Sequence, residues 1–74
     1  MNDTRYNTLT ALESAGQATA SELAGLLGAR REATSMVLLR SRRDGLVCFR
    51  RRTGEHHLSD RGHDRLAWLR EHSK

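Results

Sequence analysis

The sequence predicts a mainly α domain carrying one small β-hairpin, in the order helix, helix, helix, hairpin, helix. Three observations predict it. Apolar residues recur at helical spacing in segments that end at Gly16, Gly28 and Gly45, and the chain has no proline to interrupt them. One stretch, Leu46 to Ser59, breaks that rhythm and reads as two short strands about a glycine turn. The second and third helical segments are joined by only a few residues after Gly28, which makes a helix-turn-helix with a two-stranded hairpin attached.

Each element has its own warrant. In the first helix, Asp3 to Ala15, the residues Tyr6, Leu9 and Leu12 form an apolar stripe with Ala11 and Ala15 alongside. Asn2, Asp3 or Thr4 can cap its start and Gly16 suits its end. In "TASELAGLLG", Thr19 and Glu22 have the T-x-x-E spacing of a capping box. Leu23, Ala24, Leu26 and Leu27 follow, and Ala20 and Ala24 allow close helix contact. The third helix, Arg30 to Asp44, bunches its apolar residues as Met36, Val37, Leu38 and Leu39, so periodicity defines its inner face poorly. If that face holds Thr34, Val37, Leu38 and Ser41, the opposite face carries Glu32, Met36, Leu39 and Arg43, with Ser35 and Arg40 at its edges. Leu46 to Arg52 reads as a strand, Thr53-Gly54-Glu55 as a turn and Glu55 to Ser59 as the return strand. On that reading Arg50 and Arg52 share one face and Arg51 takes the other. Asp60 to His72 is a last helix, capped by Ser59 or Asp60, with Leu66 and Leu69 on one stripe and Trp68 beside it.

The 74 residues suffice for one small domain, 1–74, that is marginally stable alone. Its formal net charge is +4 and its pI about 10.6. Of 13 basic residues only Lys74 is a lysine. Guanidinium forks match phosphates and guanine edges, so the balance favours nucleic acid over acidic proteins or membranes as a partner. Cys48 is the single cysteine, which excludes an internal disulfide. No apolar run approaches the roughly 20 residues that span a bilayer, and the start, MNDTRYNTL, lacks a signal-peptide layout, so a cytoplasmic setting is expected.

The stretch "TASELAGLLGARREATSMVLLRSRRDGLVCFRRRTGEHHLSDRG" resembles the winged helix-turn-helix domain of MarR-type transcriptional regulators. The resemblance rests on S-E-L-A opening the second helix, L-L-G ending it, D-G-L-V closing the third, the basic hairpin, and L-S-D-R-G before the last helix. It implies a DNA-binding protein whose third helix lies in the major groove of double-stranded DNA and whose hairpin, or wing, reaches the flanking backbone or minor groove. Arg50, Arg51 and Arg52 would then face phosphates or a narrow, negative minor groove, and their mutual repulsion falls once phosphate neutralises them. The resemblance implies four readers in the third helix: Arg31 for a phosphate or guanine edge, Glu32 for cytosine, Ser35 for a phosphate or base, and Met36 for a thymine methyl. Arg40 and Arg43 would meet phosphates. The chain departs from the family pattern at Arg30, where a capping serine or threonine is usual, at Thr34 and Ser41, where core positions are usually apolar, and at Met36, a frequently basic reader. The resemblance also implies a homodimer, for which Tyr6, Leu66, Trp68 and Leu69 of the first and last helices are the candidate surface.

Other chemistries find less support. His56, His57 and His63 lie near Cys48 and Asp60, but adjacent histidines in a strand point to opposite faces and zinc needs three or four convergent ligands, so no metal and no cofactor are expected. Cys48 is expected to be a buried small residue and Trp68 a core or interface anchor. No glycine-rich phosphate loop or nucleophile elbow occurs, so the chain is not expected to be an enzyme. A small DNA-binding transcriptional regulator, acting by occupying an operator, is the reading of the sequence. The alternatives are a winged-helix protein-interaction module, whose mark would be an exposed Met36 and Leu39, and a phage or plasmid accessory factor that bends DNA.

Overall fold

The structure is a computed structural model that describes residues 4–72. Its elements are α1 (Thr4–Ala15), β1 (Ala18–Thr19), α2 (Ala20–Leu27), α3 (Arg31–Arg43), β2 (Val47–Arg50), β3 (Glu55–Leu58) and α4 (Asp60–His72). The helix order and the hairpin agree with the sequence reading. The sheet has one strand more than expected: β1 pairs antiparallel with β3, giving the order β1-β3-β2. Asn2 and Asp3, two of the three candidate caps of α1, lie outside the described residues.

The helix-turn-helix is fixed by local chemistry. Thr19 Oγ1 accepts the Glu22 N–H at 3.2 Å, and Glu22 Oε1 accepts the Thr19 N–H at 2.8 Å, which completes the capping box. Gly28 ends α2 at φ 63°, a left-handed turn that a β-carbon would strain. Two residues later comes Arg30, the N-cap position of α3, which makes no side-chain cap. Glu32 in its first turn and Arg40, Arg42 and Arg43 in its last complement the helix dipole instead.

The core is formed by Leu9 and Leu12 of α1, Leu23 of α2, Leu38 of α3, Leu66 of α4, and Ala18, Leu46, Val47 and Leu58 from the sheet and its approach. Tyr6, Ala11 and Ala20 pack against it, whereas Ala15 is exposed. The inner face of α3 is the one the sequence left conditional: Thr34, Leu38 and Ser41 are buried and Val37 half-buried. Ser41 donates its hydroxyl to the Val37 carbonyl at 2.8 Å, but Thr34 Oγ1 has no partner. Leu38 is therefore the main apolar anchor of α3.

Three expectations are corrected. Cys48 is exposed, because the core covers only the sheet face that bears Val47 and Leu58. Trp68 is 48% exposed and so is not a core anchor, because Gly62 and Leu66 take the inner stripe of α4; the other half of its expectation is an interface. The first hairpin strand stops at Arg50, so Arg51 and Arg52 lie in the turn and not on alternating strand faces.

Candidate nucleic-acid interface

Eight of the 13 basic residues fall between Arg30 and Arg52, at positions 30, 31, 40, 42, 43, 50, 51 and 52; the acidic residues in that interval are Glu32 and Asp44. All eight arginines are exposed. Among the described residues the ion pairs are Arg5 with Asp44, Arg70 with Glu13, and His63 with Glu13, so none of the eight is engaged by a carboxylate. Asp44 is itself taken up by Arg5.

The helix presents these groups around an outward stripe. Glu32, Met36, Leu39 and Arg43 lie opposite the buried Thr34, Leu38 and Ser41, with Arg40 on the flank. Met36 is 50% and Leu39 41% exposed. Arg31 is exposed in the first turn, and Ser35 is half-buried at the edge of the stripe. Of the four expected readers, Arg31, Glu32 and Met36 are open to solvent, and Ser35 less so.

The wing is a tight hairpin. Arg50 closes β2 opposite Glu55, and the Gly54 N–H donates to the Arg50 carbonyl at 2.8 Å across the turn. Thr53 Oγ1 accepts the Glu55 N–H at 3.3 Å. Arg51 and Arg52 stand exposed at the tip.

A stack that the sequence did not disclose joins helix to wing. The Arg42 guanidinium lies 4.4 Å from the centre of the Phe49 ring in β2. Phe49 in turn tilts against His56 of β3, with ring centres 4.7 Å apart. His56 is only 6% exposed and sits in the middle strand, opposite Ala18 on one side and Phe49 on the other. Burial pushes its imidazole below the ordinary value, the nearby charge of Arg42 adds to this, and a hydrogen bond with the Ala18 backbone opposes it. The balance favours the neutral ring. Its Nδ1 is buried without a hydrogen-bond partner. The signal in the sequence was the aromatic Phe49 in a strand; its meeting with His56 and Arg42 depends on strand register and helix placement.

His57 lies on the other sheet face, opposite Cys48. Among the described residues no group of three histidine, cysteine or acidic side chains is placed to hold a metal ion, and no helix is long and apolar enough to cross a membrane.

The candidate dimer residues separate. Leu66 is fully buried within the chain and has no surface to offer a second copy, which corrects the expectation for that residue. Tyr6 and Leu69 are half-buried. Trp68 is open but held between neighbours: His72 stacks on it with ring centres 4.1 Å apart, and the Arg65 guanidinium lies 5.3 Å from its centre. It borders an open cleft of about 490 Å³ that also contains Arg5, Asp44, Arg61 and Asp64.

Helix-turn-helix, three-stranded sheet, wing and closing helix together define a winged-helix domain. Among solved structures it is similar to the reduced form of MarR from E. coli: the two align with a TM-score of 0.87 over 96% of this chain and 52% of that one, at 21% sequence identity. The chain thus spans about half the length of that structure, and the likeness is one of fold. No protein-family model matches the sequence, and no curated protein matches it.

Proposed function

We propose that the chain is a non-enzymatic transcriptional regulator that binds double-stranded DNA as a homodimer. On this reading α3 enters the major groove and the wing tip, Arg51 and Arg52 with Arg50 behind them, meets the flanking backbone or minor groove. The observation that carries the reading is the set of eight arginines on α3, its approach and the wing, none of which is neutralised by a carboxylate among the described residues. Like charges gathered without internal partners are favoured by a polyanion, because neutralised phosphates release their counterions. The MarR-like fold supports the same reading by analogy.

The test is fluorescence anisotropy on a random-sequence duplex over a salt series, for the wild type and for Arg51→Ala/Arg52→Ala. Tight binding at low salt with a steep negative salt slope is expected, and a slope shallower by roughly one to two phosphate equivalents in the double variant. Equal slopes would remove the wing from the interface. Absence of low-salt binding would remove DNA altogether.

One observation favours a second reading. Met36 and Leu39 of α3 are exposed apolar residues, the mark expected of a protein-interaction module. A pull-down that captures a protein through this face, together with absence of DNA binding, would establish that reading.

A further inference from the structure

We propose that the outward face of α3 recognises the C5-methyl group of a pyrimidine in the major groove, the group that thymine carries and that cytosine acquires on methylation. This rests on the DNA-binding reading above and gives it a chemical target.

The argument starts from what α3 exposes. A helix that met only phosphates would be served by arginine alone, yet the middle of this outward stripe is Met36 and Leu39, half and two-fifths exposed. On the same helix Arg40 and Arg43 flank them, with Arg31 exposed in the first turn and Glu32 the one acidic residue of the stripe. A surface of that composition, apolar at the centre and cationic around it, complements a polyanion that carries an apolar feature within its groove. Among the base edges in the major groove the apolar feature is the C5-methyl group; the other features are hydrogen-bond donors and acceptors. Met36, unbranched and polarizable, adapts to a shallow methyl without a preformed pocket.

Spacing sharpens the fit. Met36 and Leu39 are three residues apart, so their β-carbons are about 5–6 Å apart on one helix face. That suits methyls on neighbouring base pairs, which rise about 3.4 Å per step. Glu32 stands one turn before Met36 on the same face. Its carboxylate can accept from the cytosine N4 amino group, which adjoins C5 on the same edge, whereas thymine presents the O4 acceptor there and repels it. Glu32 with Met36 therefore suits 5-methylcytosine, and Leu39, farther from the carboxylate, suits thymine. The shared chemistry is the methyl; the two bases are its two sources.

The experiment selects bound sites from a random-sequence duplex library, then resynthesises the best site with deoxyuridine for thymidine, with 5-methylcytosine for cytosine, and unchanged. Each is titrated with the wild type and with Met36→Ala/Leu39→Ala. Replacing thymidine by deoxyuridine removes only the methyl and leaves every hydrogen-bonding group in place, so it probes the contact without altering the protein. We expect a roughly three- to five-fold loss per thymine methyl contacted, or a gain of that size per cytosine methylated, and no discrimination in the double variant at an unchanged salt slope. Loss with deoxyuridine assigns the contact to thymine, and gain with 5-methylcytosine assigns it to cytosine. Equal affinity for all three duplexes, or a library that yields no enriched site although bulk DNA is bound, would overturn the proposal while leaving DNA binding intact. Absence of binding to any duplex would remove both, and the apolar stripe would then belong to a protein partner.

Discussion

Around α1 and α4 the arginines are put to use within the chain. Arg5 meets Asp44, Arg70 meets Glu13, and Arg65 lies over Trp68. Along α3 and the wing, eight arginines extend without a carboxylate among the described residues, and Arg42 alone of them leans on an aromatic ring. Both regions draw on the same residue type and differ in what surrounds it. In the first, Arg5 and Arg70 are paired and tie α1 to the end of α3 and to α4, so changes at these pairs should act on folding. In the second, charge is left unpaired, so changes there should act on association. The difference teaches that net charge alone is a poor guide: it is the unpaired share, and where it collects, that points to a partner.

The largest expected effect lies on the folding side. Gly62 is buried in α4, and a β-carbon there would lie 2.0 Å from the Leu46 carbonyl oxygen, which already accepts the Ser59 N–H at 3.0 Å. Backbone cannot yield as a side-chain tip can, so Gly62→Ala should destabilise by about 3 kcal/mol or more. Gly25 in α2 is the internal control. A β-carbon there meets nothing within 4 Å, so Gly25→Ala should stabilise by about 0.5–1 kcal/mol through helix propensity. Urea denaturation of both variants checks the opposite signs. If Gly62→Ala instead lowered DNA affinity at full folding, the two regions would not be separable.

Much of this division could be read from residues. The T-x-x-E box, the Gly28 stop, the bounds of α4 and the polar inner face of α3 are local or periodic features, and each is found in the structure. What could not be read depends on contacts distant in sequence. β1 is two residues long and becomes a strand only by pairing with Glu55 and His56 of β3. Cys48 reads as a buried strand residue, but burial depends on which sheet face the core covers. Arg51 and Arg52 read as strand because charge does not mark a strand's end; the hydrogen bond from Gly54 back to Arg50 does. The Arg42, Phe49 and His56 stack combines three elements, and no spacing along the chain foretells it. Which arginines lack partners is likewise a fact of three dimensions.

A second effect of middle size tests the comparison from the wing's side. His56 is the buried titratable group at the root of the wing, and its folded-state imidazole titrates below the ordinary value of 6.5, first through burial. The unfolded chain therefore takes up the proton first. Stability from this group is fully present above pH 6.5 and declines as pH falls from there towards the folded value. Urea midpoints of the wild type should fall faster between pH 6.5 and 5 than those of His56→Leu, which has no proton to bind at this site. Parallel curves would mean that burial of the ring carries no cost of charging. A positive result would show that a residue in the association region contributes to folding through its buried, uncharged ring.

The smallest effect belongs to the pair that best represents the folding side. Arg70 reaches Glu13 with Nη2 to Oε1 at 2.5 Å, and His63 Nδ1 lies 3.8 Å from the other carboxylate oxygen. The hydrogen bond from Arg70 chiefly holds the Glu13 carboxyl below its ordinary value, against a desolvation that raises it. Its contribution is present above the ordinary carboxylate value of 4.5 and is lost as pH falls through and below it. Arg70 is exposed and Glu13 half-buried at the surface, so screening keeps the pair weak. Glu13→Gln should lower the urea midpoint slightly at pH 7, less so in high salt, and progressively less as pH falls below 4.5. Its salt slope on DNA should equal that of the wild type, whereas Arg51→Ala/Arg52→Ala should do the reverse, leaving the urea midpoint in place and flattening the slope. Arg70→Ala completes the test, since it removes one positive charge just as a wing substitution does. If net charge governed DNA binding, Arg70→Ala would flatten the slope as much as a single wing arginine. If the unpaired arginines govern it, the slope stays where it was.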